Sequence, residues 1–260
     1  MLPDFPAAFW PCAVVAVVAV GIAKAGFGGG VGVIATPLMA LAIPVTDAAA
    51  LMLPLLMVCD VFAVRHYRSQ FHRPSIAVLL PGALLGIGVG AFFFGYFHGH
   101  QRALQIGLGT LSLLFVVFQI GRAVILGALS KRHPGPAEGV LMGAVAGFTS
   151  TLAHAGGPPV SIYLLPQQLP RQLFVGTTVI AFAAINWFKV GPYWALGLWR
   201  LEHVPVLLIL APLSWMGVRL GLYLNRRFTD LWFNRVVYTV LFLTGLQLVL
   251  GHSLLGILAH

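Results

Sequence analysis

The sequence is poor in charge and poorest in acidic residues. Only 8% of its 260 residues are Asp, Glu, Lys or Arg, and six of these are acidic, while 59% are hydrophobic. A soluble domain needs about 25% charged residues to cover its surface, so the composition excludes an ordinary soluble domain. We expect one membrane domain with no extramembrane module. The net charge of +9 is then a membrane-topology signal and not a nucleic-acid surface.

The sequence also lacks a disulfide framework, a metal motif and a cleavable leader. Its two cysteines, Cys12 and Cys59, lie inside apolar runs, where a thiol packs as a small hydrophobic side chain. No basic residue precedes the first apolar run, whereas a signal peptide begins with a positive segment. We expect no metal, no cofactor and a first helix that is retained.

Long apolar runs predict an all-α polytopic membrane protein. A run of about 20 residues can cross a hydrocarbon core of ~30 Å as a helix. Six such runs are present, at 47–66, 75–97, 103–126, 171–190, 204–224 and 232–252.

Two further apolar segments are interrupted by glycine. The first break, at 26–30, separates the short runs 11–24 and 31–43. The second break, at 156–159, separates the short runs 139–152 and 160–166. Because glycine and proline runs interrupt helices, each segment is predicted to form a broken or re-entrant helical hairpin.

The two breaks occupy corresponding places in an internal repeat. Gly26-Phe27 corresponds to Gly147-Phe148, and Asp60 and Asn186 each follow a proline by sixteen residues. Matched breaks in two halves are typical of secondary transporters. We therefore divide the chain into a first membrane repeat at 1–126, a connecting loop at 127–138 and a second membrane repeat at 139–260.

Basic residues discriminate between two topologies. If the broken segments cross the membrane, the basic residues outside it divide eight to five between the faces. If the segments turn back, ten lie on one face and only Arg102, Lys189 and Arg200 on the other, as the positive-inside rule requires. Three crossings in each half then invert the two repeats. The loops 65–73 and 122–138 are predicted to be cytoplasmic and both termini outside, with the substrate near the midplane.

The glycine motifs resemble those of a known family. Gly-Phe-Gly-Gly-Gly-(x)6-Pro at 26–37 and Gly-Phe-(x)7-Gly-Gly-Pro-Pro at 147–159 are similar to the paired motifs of the sulfite exporter TauE/SafE family of membrane permeases. The resemblance covers nearly the whole chain. It implies transport of a sulfur-containing anion, such as sulfite, a sulfonate or sulfoacetate, across a bacterial-type inner membrane. The chain departs from the family pattern at 149–151 and at His154, where smaller or glycine residues are more usual.

The breaks have the chemistry of an anion site. A helix that begins inside the bilayer exposes unpaired N–H groups and about half a positive charge, which an anion satisfies. Short helices are predicted to begin near Val31 and Pro159 and to point at a common centre. The candidate substrate-binding residues are Lys24, Gly26, Gly28, Gly29, Gly30, Thr149, Ser150, Thr151, His154, Gly156 and Gly157. The alternatives are tight helix packing at the glycines and hydroxyls that bond back to their own helix.

Four ionisable side chains in the apolar segments have open roles. Lys24 is an anion ligand, a partner of Asp60 or a side chain that snorkels to an interface. His154 carries a coupled proton or packs in a hydrogen-bonded interface. Asp60 pairs with Lys24 or Arg219, or carries a co-transported proton. Arg219 faces the pathway or forms a structural ion pair. An aromatic cluster near the end of run 171–190 is interpreted as an interfacial belt and not as a site, with members Trp187, Tyr193, Trp194 and Trp199.

The leading hypothesis is a secondary transporter of the exporter type, for a small sulfur-containing anion in the inner membrane. A passive anion channel could use the same helix ends. An intramembrane enzyme is less well supported, because the sequence has no HExxH motif, no Walker A motif, no paired catalytic carboxylates and no serine with an evident base beyond His154. The expected partners are a small anion, a coupled proton and the bilayer, with no nucleic acid. The exact substrate, the direction, the coupling ion and the oligomeric state stay open.

Overall fold

The computed structural model of the chain describes residues 5–26, 33–129, 134–224 and 230–251. Within these ranges every regular element is a helix, so the all-α prediction is confirmed. The α-helices are α1 Phe9–Gly26, α2 Ala35–Met39, α3 Val45–Tyr67, α4 Arg73–Tyr96, α5 Gln101–Leu129, α6 Pro136–Ala153, α7 Gly157–Leu164, α8 Arg171–Ala195, α9 Val204–Leu224 and α10 Asp230–Leu250. Short 3-10 turns at Leu165–Gln167 and Leu201–His203 follow α7 and precede α9.

The predicted spans correspond to real helices. Five segments of the described chain are long and apolar enough to cross a membrane, and they lie in α3, α4, α5 and α8 and at Leu201–Gly221 around α9. The sixth predicted span is α10, whose apolar part, Arg235–Leu250, is shorter than those five. The chain is therefore a multi-pass membrane protein.

Helices end at both predicted breaks in the described chain. At the first, α1 ends at Gly26 and a 3-10 turn at Val33 and Ile34 leads into α2 at Ala35, while residues 27–32, with the helix start predicted near Val31, lie outside the described residues. The second lies between α6 and α7, and α7 begins at Gly157 with proline in its first turn, a position that needs no backbone N–H. Pro44 and Pro170 are the N-caps of the two helices that follow, α3 and α8.

Helix packing joins the two halves of the chain. Helices α3 and α8 contact each other and are the most buried of the spans, so they form the centre of the bundle. Helix α1 packs on α9, and its repeat counterpart α6 packs on α4. Helices α5 and α10 also pair. The broken helices of each half therefore pack against the other half of the chain.

Glycines allow the broken helices to pack at backbone contact. A Cβ on Gly86 of α4 would lie 1.8 Å from the carbonyl oxygen of Ala144 in α6, and one on Gly147 would lie 2.1 Å from that of Ala83. The α1–α9 contact has the same character, since a Cβ on Gly221 would lie 2.6 Å from the carbonyl oxygen of Ile22. Small residues four apart are typical of close helix pairs in membranes.

The assignment of Lys189 to the basic residues outside the membrane and of Tyr193 to an interfacial belt is wrong. Helix α8 continues to Ala195 because Pro192 does not end it, and both side chains are fully buried on its inner face. The three tryptophans of the predicted belt are exposed on the outside, as a belt requires: Trp187, Trp194 and Trp199.

Candidate functional site

A small polar cavity lies between the two broken segments. Helices α1, α3, α6, α7 and α8 all reach it, and its lining residues are Lys24, Leu56, Ser150, His154, Gly157, Phe182 and Asn186. About 20 Å³ of its volume is accessible to the centre of a water molecule, which is room for a single water. Side chains from both halves of the chain therefore meet at one centre.

Lys24 comes from the last turn of α1 and is buried against α3. Its ammonium donates to the Asp60 carboxylate and, at 3.2 Å, to the carbonyl oxygen of Leu56. The second carboxylate oxygen of Asp60 accepts from the Asn186 amide at 2.6 Å. Of the partners considered for Asp60, the structure thus shows Lys24, and the repeat mates Asp60 and Asn186 contact each other across the centre.

His154 lies at the second break in a strained backbone conformation. It caps α6 with φ 53° and ψ 30°, the left-handed region where glycine is usual. Its Nδ1 lies 3.2 Å from the hydroxyl oxygen of Thr36 in α2, so a side chain that follows the first break contacts the second. Its Nε2 is buried and has no hydrogen-bond partner among the described residues. A left-handed histidine costs about 1–3 kcal/mol, which is typical of functional positions.

The three hydroxyls before the second break have different environments. Thr149 donates to the carbonyl oxygen of Val145 at 2.8 Å, and Thr151 donates to that of Gly147 at 2.9 Å. These two hydroxyls therefore bond to their own helix, which was the alternative to substrate binding. Ser150 differs, because it lines the cavity and its hydroxyl contacts the ammonium of Lys189 at 3.0 Å.

Lys189 and Tyr193 are the site residues that sequence reasoning missed. Lys189 donates to the carbonyl oxygen of Ser150 at 3.1 Å, and Tyr193 donates to that of Thr151 at 2.8 Å, so both satisfy the last turn of α6. A signal was available in the sequence. Polar or aromatic residues follow one another along α8 at steps of four, three and four, which is one face of a helix: Phe182, Asn186, Lys189 and Tyr193.

The predicted glycines are only partly within the described chain. Gly26 ends α1, Gly156 is the N-cap of α7, and Gly157 begins α7 and lines the cavity. Gly28, Gly29 and Gly30 lie outside the described residues. A Cβ on Gly156 would lie 3.2 Å from the carbonyl oxygen of Ala146, so close packing also accounts for that glycine.

Arg219 lies away from the cavity. Its side chain is exposed and its guanidinium stacks 5.2 Å from the ring centre of Trp215, one turn earlier on α9. This contact is a cation–π pair on the outer surface of the bundle. Nothing in its described surroundings links Arg219 to Asp60.

The cavity suits a small anion better than a metal ion. No group of three metal-ligating side chains occurs among the described residues. Where burial is described, the buried lysine and acidic side chains are two ammonium groups and one carboxylate: Lys24, Lys189 and Asp60. A buried excess of positive charge is costly unless an anion compensates it.

Comparisons with known proteins agree with this chemistry. A family model described as Sulfite exporter TauE/SafE matches residues 13–248, which include both breaks and every residue of the cavity. Searches among curated proteins and among solved structures each return no match.

Proposed function

Because the chain belongs to the sulfite exporter TauE/SafE family, whose members are membrane transporters of sulfur anions, we propose that it exports a small sulfur-containing anion such as sulfite or an organosulfonate across the inner membrane. One observation carries the location of the site. One cavity is lined by residues of both broken segments. Lys24 comes from the first segment, and Ser150, His154 and Gly157 come from the second. The substrate binds there, with Gly26 and Gly156 at the ends of the helices beside it.

The electrostatics of the cavity support an anionic substrate. Lys24 supplies a cation, Ser150 supplies a hydroxyl, and α7 begins at Gly157 with the partial positive charge of a helix N-terminus. The Nε2 of His154, which has no hydrogen-bond partner within the described part of the chain, is a further polar group available to a ligand. A neutral or cationic solute of the same size gains nothing from these groups. We therefore expect selection of anions.

The small size of the cavity favours a carrier over a channel. A cavity with room for one water cannot hold a sulfur oxyanion, so the helices around it must separate for the substrate to enter. In an inverted-repeat transporter, rocking of one half against the other opens the site to each side in turn. The packing of each broken helix on the opposite half supports such coupled motion.

The topology is part of the proposal. In it, residues 1–126 and 139–260 form two inverted repeats joined by 127–138, each with a re-entrant hairpin and three crossings. The contacts of α2 with α1 and of α7 with α6 support hairpins. Labelling of single cysteines from outside the cell tests this arrangement. A cysteine at position 70 should be protected and one at the C-terminus should react, whereas labels on the same side would contradict the topology.

A binding screen tests the proposed substrate class. The purified protein is titrated with sulfite, thiosulfate, sulfate, taurine, sulfoacetate and chloride at constant ionic strength. We expect saturable binding of at least one sulfur-containing anion and none of chloride. Binding of chloride alone, or of none of the six, would contradict the proposal. Coupling to a proton is a further part of it, with His154 and Asp60 as the groups that the sequence suggests.

A further inference from the structure

Lys189 is a buried cation in unusual surroundings. Its side chain is fully buried in the centre of the bundle, one turn of α8 after Asn186. Its two hydrogen bonds go to the hydroxyl and carbonyl oxygens of Ser150, which are neutral acceptors. Within the described chain, the structure gives Lys189 no carboxylate partner.

The charged groups near Lys189 do not compensate it. Lys24 of α1 and Asp60 of α3 both act on it electrostatically, but the Asp60 carboxylate already accepts from Lys24 and from Asn186. His154, at the end of α6, also faces it. Tyr193 lies on its own helix, with the ring centre 6.0 Å from the Lys189 nitrogen. The C-terminus of α6 adds only about half a negative charge.

A fully buried amine without a carboxylate partner can be stable either as the neutral base or as the ammonium, depending on whether an anion is nearby. Without a counter-ion it persists as the neutral base, because an isolated buried ammonium is far too costly. With an anion in the adjoining cavity, the ammonium becomes stable through charge-assisted interaction. Ser150 connects the two places, since its hydroxyl contacts Lys189 and lines the cavity. The charge of Lys189 and the occupancy of the cavity are therefore coupled.

We infer that Lys189 is the substrate-linked proton site: it takes up one proton when the anion enters the cavity and releases it when the anion leaves. This inference rests on the proposed function. The proton comes from the aqueous side to which the cavity is open and departs to the side on which the anion is released. One anion and one proton then cross together, so export follows the outward gradient of the anion and works against an inward proton gradient, and no covalent bond to the substrate forms or breaks.

The geometry favours Lys189 over the two groups suggested by the sequence. Both carboxylate oxygens of Asp60 are occupied by the donors Lys24 and Asn186, so a proton there would break the ion pair. The ring of His154 is held at Nδ1 by Thr36, and Lys24 and Lys189 both interact with it electrostatically. Lys189, unlike Asp60, has no ionic partner within the described chain, and Ser150 connects it to the cavity.

A competing explanation is purely structural. Lysine often bonds to the last carbonyl groups of a helix, and Lys189 does so at Ser150. A structural cap keeps the same protonation state whether or not the anion is bound. The number of protons taken up on binding distinguishes the two explanations, and stability measurements alone do not.

The test counts protons. Purified wild type, Lys189→Arg, Lys189→Met and His154→Gln are each mixed with sulfite in weak buffer that contains a pH-indicator dye, and the anion affinity is measured in parallel. Arginine stays charged in proteins, so it retains the cation but cannot exchange a proton. Because sulfite itself titrates near neutral pH, the count is repeated with sulfoacetate, which is fully ionised there, so that protons exchanged by the ligand do not enter the comparison. Arg200→Gln, an exposed basic residue paired with Glu202, is the matched control.

The expected results separate the inference from the proposed function. Wild type and Arg200→Gln, and His154→Gln at sulfite concentrations high enough to saturate any weakened site, should take up about one more proton per bound anion than Lys189→Arg. Lys189→Met should bind sulfite about tenfold more weakly or worse. Equal proton counts in wild type and Lys189→Arg, with sulfite bound by both, would overturn the inference and leave the proposed function intact. Absence of binding to wild type would overturn both.

Discussion

At each of the two breaks, a lysine side chain lies at the last turn of the helix before the break, but the two lysines have different partners. At the first break, Lys24 belongs to α1 itself and pairs with the carboxylate of Asp60. At the second, Lys189 reaches α6 from α8 and donates to the two oxygens of Ser150. The first break is thus electrically balanced, while the amine at the second has no carboxylate partner among the described residues. The difference teaches that similar helix contacts at the two breaks can accompany different electrostatic surroundings.

The largest expected effect comes from filling the cavity at the second break. Gly157→Leu places a branched side chain into a space that holds a single water, so anion binding and transport should fall below detection. Gly88→Leu is the matched control, because a Cβ there has no atom within 4 Å. Both proteins are checked for monodispersity and assayed for sulfite flux in proteoliposomes. A folded Gly157→Leu variant with wild-type flux would show that the cavity is not the site.

Removing the carboxylate charge of Asp60 at the first break should have the next largest effect. Asp60→Asn leaves the Lys24 ammonium buried without its carboxylate, and breaking a buried pair in this way costs about 3–5 kcal/mol of stability. An anion in the cavity supplies the missing charge. Thermal unfolding should therefore show a lower midpoint for Asp60→Asn and a larger rise on addition of sulfite than in wild type. An equal rise in both proteins would mean that the anion does not approach Lys24.

Removal of the cation itself should weaken binding moderately. Lys24→Ala deletes an ammonium that lines the cavity, and the affinity for the sulfur anion should fall by about 1–3 kcal/mol, or roughly 5-fold to 150-fold. Lys24→Arg retains the charge and should restore part of the loss. Equilibrium titration of the three proteins measures the effect. An unchanged affinity in Lys24→Ala would remove Lys24 from the binding site.

The smallest effect is expected on the outer surface. Arg219→Gln removes a cation that stacks on Trp215 and does not reach the cavity, so the anion affinity should match that of wild type. Loss of the cation–π pair should cost no more than about 1 kcal/mol of stability. The same titration and an unfolding measurement apply. A clear loss of anion affinity in this variant would indicate that Arg219 faces the transport pathway.

The hydrophobic runs and glycine breaks predict most of the fold. A run of about 20 apolar residues has few alternatives to a helix in lipid, and glycine with proline marks where a helix stops. Helix ends are less well predicted, because Pro192 lies inside α8 and does not end it. The placement of Lys189 was wrong for this reason, since a helix that ends at 190 leaves the lysine at the surface.

The candidate site was predictable only in part. Lys24, Ser150, His154 and Gly157 lie around the cavity because each is close in sequence to a break. The pairing of Asp60 with Lys24, and not with Arg219, depends on which faces of α1, α3 and α9 meet. Three-dimensional packing decides those faces, and the periodicity of an almost wholly apolar helix does not report them.

Uphill transport is the most direct test of the account. Proteoliposomes that contain the purified protein are given equal labelled sulfite on both sides and then a pH gradient. A proton-coupled carrier with its site between the two breaks should concentrate sulfite on the alkaline side, and Lys189→Arg should carry it only down its own gradient. Transient accumulation in wild type that the Lys189→Arg variant lacks is the predicted result. Sulfite that stays equally distributed under the pH gradient in wild type would contradict the proposed coupled carrier.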